Sequence, residues 1–168
     1  MSAEEHKTKK PFRNSASFGK RMEHYIIGRM LKDGLDVFLP VVDDDAIDAV
    51  VKLPDGRGFV EVQIKARSNQ VKEGYAALFA AIEHEYRDNY WFVFYSERLE
   101  KIWLMSSQEF IDHSHQNKTG KNIGTRVIWF NGSKNKKRDE YVKPQFERFV
   151  IEDFGRILRE DPSRKTES

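Results

Sequence analysis

Between positions 59 and 67 the chain alternates Val60, Val62 and Ile64 with Glu61, Gln63 and Lys65. A strand repeats every two residues, so the three apolar side chains share one face and the three polar ones the other. A half-exposed strand carries the same pattern with no chemistry attached. Asp48 adds a second observation, because it interrupts an apolar run formed by Ala46, Ile47, Ala49, Val50 and Val51 that should be buried. Burying a carboxylate is costly unless it is paired or bound to a metal. Pro54, Gly56 and Gly58 between the two segments suit a tight reversal. The resulting antiparallel hairpin sets Asp48 laterally beside the face that carries Gln63 and Lys65.

Two oxygen donors beside a lysine on adjacent strands are the minimum set for metal-assisted hydrolysis of a phosphodiester. Asp48 and the side-chain carbonyl of Gln63 suit a hard divalent cation, Mg2+ or Mn2+. Such an ion neutralises phosphate charge and lowers the pKa of a bound water. Lys65 positions that water, helps to deprotonate it, or stabilises the charge of the transition state; the residue types leave the three roles open. Glu23 lies beside an apolar stripe of Phe18, Met22, Tyr25, Ile26 and Met30. From there it either faces solvent or reaches over the metal pocket as a further ligand or water-holder.

These residues resemble the PD-(D/E)XK nucleases related to archaeal Holliday-junction resolvases. The resemblance rests on Glu23 in an opening helix, the segment 39–48 ending in Ile47 and Asp48, and the segment 60–65 ending in Gln63, Ile64 and Lys65. It covers roughly residues 15–112. Gln63 stands where that superfamily usually has Asp or Glu, a variant also found among some homing endonucleases of this fold. A neutral carbonyl should lower metal affinity, and Glu61 on the same face could replace part of the missing charge. The resemblance implies a catalytic set of Glu23, Asp48, Gln63 and Lys65, with Asp48 and Gln63 on the metal and Glu23 and Glu61 as further candidates. It implies DNA as partner and, because one site cuts one strand, a homodimer. The alternative is a nucleic-acid-binding or protein-interaction domain that keeps the fold without catalysis.

The elements that must position this set follow from pattern. The apolar stripe predicts a first helix from Ser15 or Ser17 to a closing Gly34. Strands are expected at 35–42, 46–53 and 59–67, and an alanine-rich helix at 75–86. Two more strands fall at 90–95 and 101–105, followed by a short helix to 111 capped by Ser106 or Ser107, a strand at 125–130 and a closing helix at 145–159. The order predicts an α/β fold, a restriction-endonuclease-like mixed central sheet flanked by helices with an α-β-β-β-α-β core. Residues 1–14 read as a basic tail, 15–160 as one domain and 161–168 as a frayed end.

Composition bounds the rest. The 168 residues include no cysteine, which excludes disulfides and thiolate metal sites. No apolar run approaches the roughly 20 residues that span a bilayer, so neither a membrane partner nor a secretory signal is expected and the chain reads as cytoplasmic. A net charge of +2 allows nucleic-acid binding without requiring it. Lys134, Lys136, Lys137 and Arg138 form a basic cluster that either meets phosphates or is a solvated loop. His113 and His115 lack ligand partners at metal spacing, His84 reads as a solvated residue at a helix end, and Trp91 and Trp103 read as core.

Overall fold

The computed structural model describes residues 15–42, 44–132 and 141–160. The basic cluster 134–138 therefore lies outside the described residues, as do both terminal tails. Helix α1 (Ser15–Lys32) buries Ile26, Ile27 and Met30. It ends at Gly34, whose φ of +91° lets the N–H groups of Gly34 and Leu35 turn back to the carbonyls of Leu31 and Met30. That left-handed turn satisfies carbonyls the helix end would leave open.

Strands β1 (Asp36–Phe38), β2 (Ala49–Lys52) and β3 (Phe59–Arg67) follow, with β2 and β3 joined as the expected antiparallel hairpin and Ala49 opposite Val62. β5 (Tyr90–Ser96) lies parallel to β3, which sets Glu61 beside Tyr90, Gln63 beside Phe92 and Lys65 beside Phe94. β6 (Lys101–Ser106) and β9 (Val150–Ile151) complete a six-stranded sheet in the order β1-β2-β3-β5-β6-β9. Every neighbour pair except β3–β5 is antiparallel.

The predicted helix at 75–86 is a strand instead, β4 (Leu78–Ile82). It pairs with β8 (Arg126–Trp129), which in turn pairs with β7 (His115–Gln116) in a second, three-stranded sheet. Tertiary packing overrides the alanine-rich propensity here. Phe79 sets its ring 4.9 Å from Phe94 and 5.9 Å from Phe130. Ala77 exchanges backbone and side-chain bonds with Phe130 and Asn131.

Strand alternation divides the interior into two cores. Val60, Val62, Ile64, Trp91 and Val93 pack with Ile26 and Met30 of α1. On the other face Phe92, Phe94, Trp103 and Met105 pack with Phe79, Ile128 and Phe130. Both tryptophans are fully buried, as expected of core residues. A fully buried phenylalanine such as Phe92 or Phe94 contributes about 1.5–3 kcal/mol by leaving water.

Helix α2 (Ser107–His113) is capped by Ser106, whose hydroxyl accepts the N–H of Glu109 while the Glu109 carboxylate accepts the N–H of Ser106. The single closing helix expected at 145–159 is three elements: a 3-10 turn (Pro144–Phe149), β9, and a short α3 (Gly155–Arg159). Val150 and Ile151 are drawn to the open edge of β6, opposite Trp103 and Ile102. Among the described residues no helix is long and apolar enough to cross a membrane.

Candidate metal centre

Asp48 directly precedes β2, one residue short of the strand in which the sequence placed it, and its position follows from the loop in front of it. Asp45 and Ala46 take φ of +59° and +55°, a region that costs a residue with a Cβ about 1–2 kcal/mol. Two side chains hold this loop. Arg87 Nη1 donates to the carbonyl of Asp45 at 2.8 Å, and the Tyr90 hydroxyl donates to the carbonyl of Ala46 at 2.5 Å. The Asp48 N–H then donates to Val62 O at 2.9 Å, and Asp48 Oδ2 accepts the Ile64 N–H at 2.6 Å. A carboxylate thus takes over the β3 ladder where the β2 backbone leaves it.

Gln63 is 7% exposed, and its Oε1 lies 3.2 Å from the Tyr90 hydroxyl oxygen. Lys65, two residues further along the same face, is half-buried, and its side chain forms no ion pair or hydrogen bond among the described residues. The structure therefore brings Asp48 onto the Gln63-Ile64-Lys65 segment through backbone and side chain together.

Glu23 reaches the same neighbourhood from α1. Its side chain is 19% exposed, pairs with Lys20 at 2.8 Å, and lines a cavity of about 250 Å³ with Asp48, Ile47, Leu39 and Val41. Glu61 is committed elsewhere: its carboxylate meets Arg87 Nη2 at 2.5 Å, and the Arg87 guanidinium lies 4.6 Å over the Tyr90 ring.

A larger cleft of about 760 Å³ opens on the other side of the 45–48 loop, lined by Asp45, Ala46, His84, Arg87, Tyr90 and Gln116. His84 is not solvated at a helix end. Its ring stacks 5.1 Å from Tyr90, sits edge-on to Phe92 at 4.7 Å, and hydrogen-bonds Ser107 Oγ at 2.7 Å. Burial, then the charges of Arg87 and Arg126, push its pKa down to about 4. Burial likewise raises the Tyr90 phenol, with Asp48 and Glu61 adding to the rise and Arg87 opposing it. His113 bonds the carbonyl of Glu109 and the Arg148 guanidinium rather than joining a ligand cluster.

Arg87, Tyr90 and His84 were not singled out as site residues from the sequence. Tyr90 reads as the first residue of an aromatic core strand, and only the parallel register that sets it beside Glu61 reveals its hydroxyl next to Gln63.

The donors fit a hard cation. Asp48, Glu23 and Gln63 offer carboxylate and amide oxygens, and sulfur is absent from the set. Among the described residues no three His, Asp or Glu side chains gather as a metal-binding group. A cation held here would meet one or two carboxylates and an amide, a sparse set that magnesium, which keeps several of its waters, can accept.

No family model and no curated sequence matches the chain. Among solved structures it is similar to a bacterial homing endonuclease, I-Ssp6803I, with a TM-score of 0.53 and 21% sequence identity, over 82% of this chain and 89% of that one. The mixed α/β architecture, a mostly antiparallel sheet flanked by helices, is thus similar to an endonuclease fold.

Proposed function

We propose that this chain is a metal-dependent endonuclease that hydrolyses DNA phosphodiester bonds, with Asp48, Gln63 and Glu23 holding Mg2+ or Mn2+ and Lys65 beside them. The observation that carries this reading is the Asp48 carboxylate fastened to the Ile64 N–H, between Gln63 and Lys65. The likeness in fold to a homing endonuclease supports it.

When bound, the metal would supply Lewis-acid polarisation of the phosphate and a water of lowered pKa. The chain's own residues do the rest. Lys65 carries no competing carboxylate among the described residues, so its ammonium is available to hold a proton or to face charge developing on phosphoryl oxygens. Glu61, neutralised by Arg87, serves to fix the wall of the cleft rather than to bind the ion. The hairpin from β7 to β8 carries exposed Lys118 and Lys121, and its Gln116 and Gly124 line the cleft beside Tyr90. It offers a track for a phosphate backbone. The cluster 134–138 remains a further candidate for the same role, and cutting both strands calls for a second copy of the site in a homodimer.

Cleavage of supercoiled plasmid and of a branched DNA by the purified protein with Mg2+ or Mn2+, beside Asp48→Ala and Lys65→Ala, tests the reading. Cleavage lost in both variants supports it. DNA binding without cleavage on any substrate would replace it with a non-catalytic binding domain, to which the neutral Gln63 also points.

A further inference from the structure

We infer that Tyr90 is a positioning residue for Gln63, accepting a hydrogen bond from the Gln63 amide NH2 so that the amide oxygen is turned toward the metal. The inference rests on the nuclease reading and deepens it by assigning a function to a residue outside the ligand set.

Tyr90 has one hydroxyl proton, and the shorter of its two contacts takes it. Its oxygen lies 2.5 Å from the Ala46 carbonyl and 3.2 Å from Gln63 Oε1. The carbonyl of Ala46 can only accept, so this bond fixes Tyr90 as donor to the loop. What remains on the Tyr90 oxygen is a lone pair, and a lone pair is matched by an NH2 and not by a second carbonyl oxygen.

A half-turn of the Gln63 amide exchanges its oxygen for its nitrogen without moving the buried stem. The NH2 then donates to Tyr90, and the oxygen takes the opposite direction. With the oxygen on Tyr90, the opposite direction would present two N–H groups, which repel a cation. A glutamate at this position would have no such problem, because its two oxygens are equivalent. The need for Tyr90 is therefore specific to glutamine.

That specificity supplies the test. Mn2+ affinity is measured by electron paramagnetic resonance, and thermal stability alongside it, for the wild type, Tyr90→Phe, Gln63→Glu and the double variant, with Asp48→Ala as control. Tyr90→Phe should weaken Mn2+ binding about ten-fold when residue 63 is Gln, in the range for partners that orient a ligand, and have little effect when Gln63→Glu is present. The lost bond to Ala46 is common to both backgrounds and cancels in the comparison. An equal loss in both backgrounds, or none with Gln63, would overturn the inference while leaving the nuclease reading intact. Failure of the wild type to bind Mn2+ would overturn the nuclease reading itself, and this inference with it.

Should Tyr90→Phe not fold, the wild type decides. The side-chain NH2 resonances of Gln63 in a 15N spectrum should shift on addition of Mg2+ and not in Asp48→Ala. Resonances that stay in place while Mg2+ binds would overturn the inference.

Discussion

The carboxylate of Asp48 accepts the backbone N–H of Ile64 at 2.6 Å, and Ile64 separates Gln63 from Lys65. One side chain thus fixes the spacing between the hairpin loop and the two other polar residues. This double duty separates stability from chemistry. Asp48→Asn retains an acceptor for Ile64 and should unfold close to the wild type in urea. Asp48→Ala leaves a part-buried N–H unsatisfied and should lose about 1–3 kcal/mol. Cleavage should vanish in both. An Asn variant as unstable as the Ala variant would show that charge, not the hydrogen bond, holds the loop.

Lys65 gives the complementary case. Its half-buried side chain makes no ion pair or hydrogen bond among the described residues, so the fold asks little of that side chain. Lys65→Met should change unfolding free energy by no more than about 0.5 kcal/mol. Its cleavage rate should fall by about 10²–10³, the scale for losing one group aimed at developing charge. Loss of stability with cleavage intact would reverse the assignment.

Much of this arrangement was legible in sequence because it is local. The alternation through Glu61, Gln63 and Lys65 specified β3 to the residue, Gly34 marked the end of one helix, and the Ser106-Ser107 pair marked the start of another, with Ser106 as its cap. What failed was non-local. Leu78 to Ile82 has the composition of a helix, yet Phe79 is claimed by Phe94 and Phe130 from distant segments. Val150 and Ile151 are claimed by the open edge of β6 in the same way. Tyr90 escaped notice as a site residue for a related reason: its ring belongs to the core, and only its hydroxyl belongs to the site.

The pair of Glu61 and Arg87 predicts a variant with almost no phenotype at the metal. Their side chains are 35% and 34% exposed, so the ion pair should contribute about 0.2–1 kcal/mol. Glu61→Gln should therefore unfold slightly earlier in urea while binding Mn2+ as the wild type does. A clear drop in Mn2+ affinity would return Glu61 to the ligand set.

His84 makes the fold sensitive to acid. Its pKa is pushed from the ordinary 6.5 to about 4 in the native state, so across that window the unfolded chain takes up a proton that the native ring refuses. Its contribution is complete above the unfolded pKa, declines as pH falls toward about 4, and changes no further below it. Urea unfolding of the wild type and of His84→Gln, which keeps a partner for Ser107, should show a stability difference that shrinks between pH of about 7 and about 4.5. A difference that is flat with pH would mean that folding leaves the His84 pKa at its ordinary value.

The exposed Lys118 and Lys121 put a number on the DNA track. Each phosphate contact on duplex DNA adds about −0.9 to the slope of log affinity against log salt. If the β7–β8 hairpin lies against the backbone, Lys118→Ala with Lys121→Ala should flatten that slope by about 1.8. The variant should also lose affinity most at low salt, and to a similar degree on unrelated sequences, because phosphate contacts position the duplex without reading its bases. Neither lysine belongs to the proposed metal set, so cleavage at saturating DNA should be preserved. An unchanged slope would move the backbone contact away from this hairpin, and the first segment to test in its place would be the basic residues 134–138.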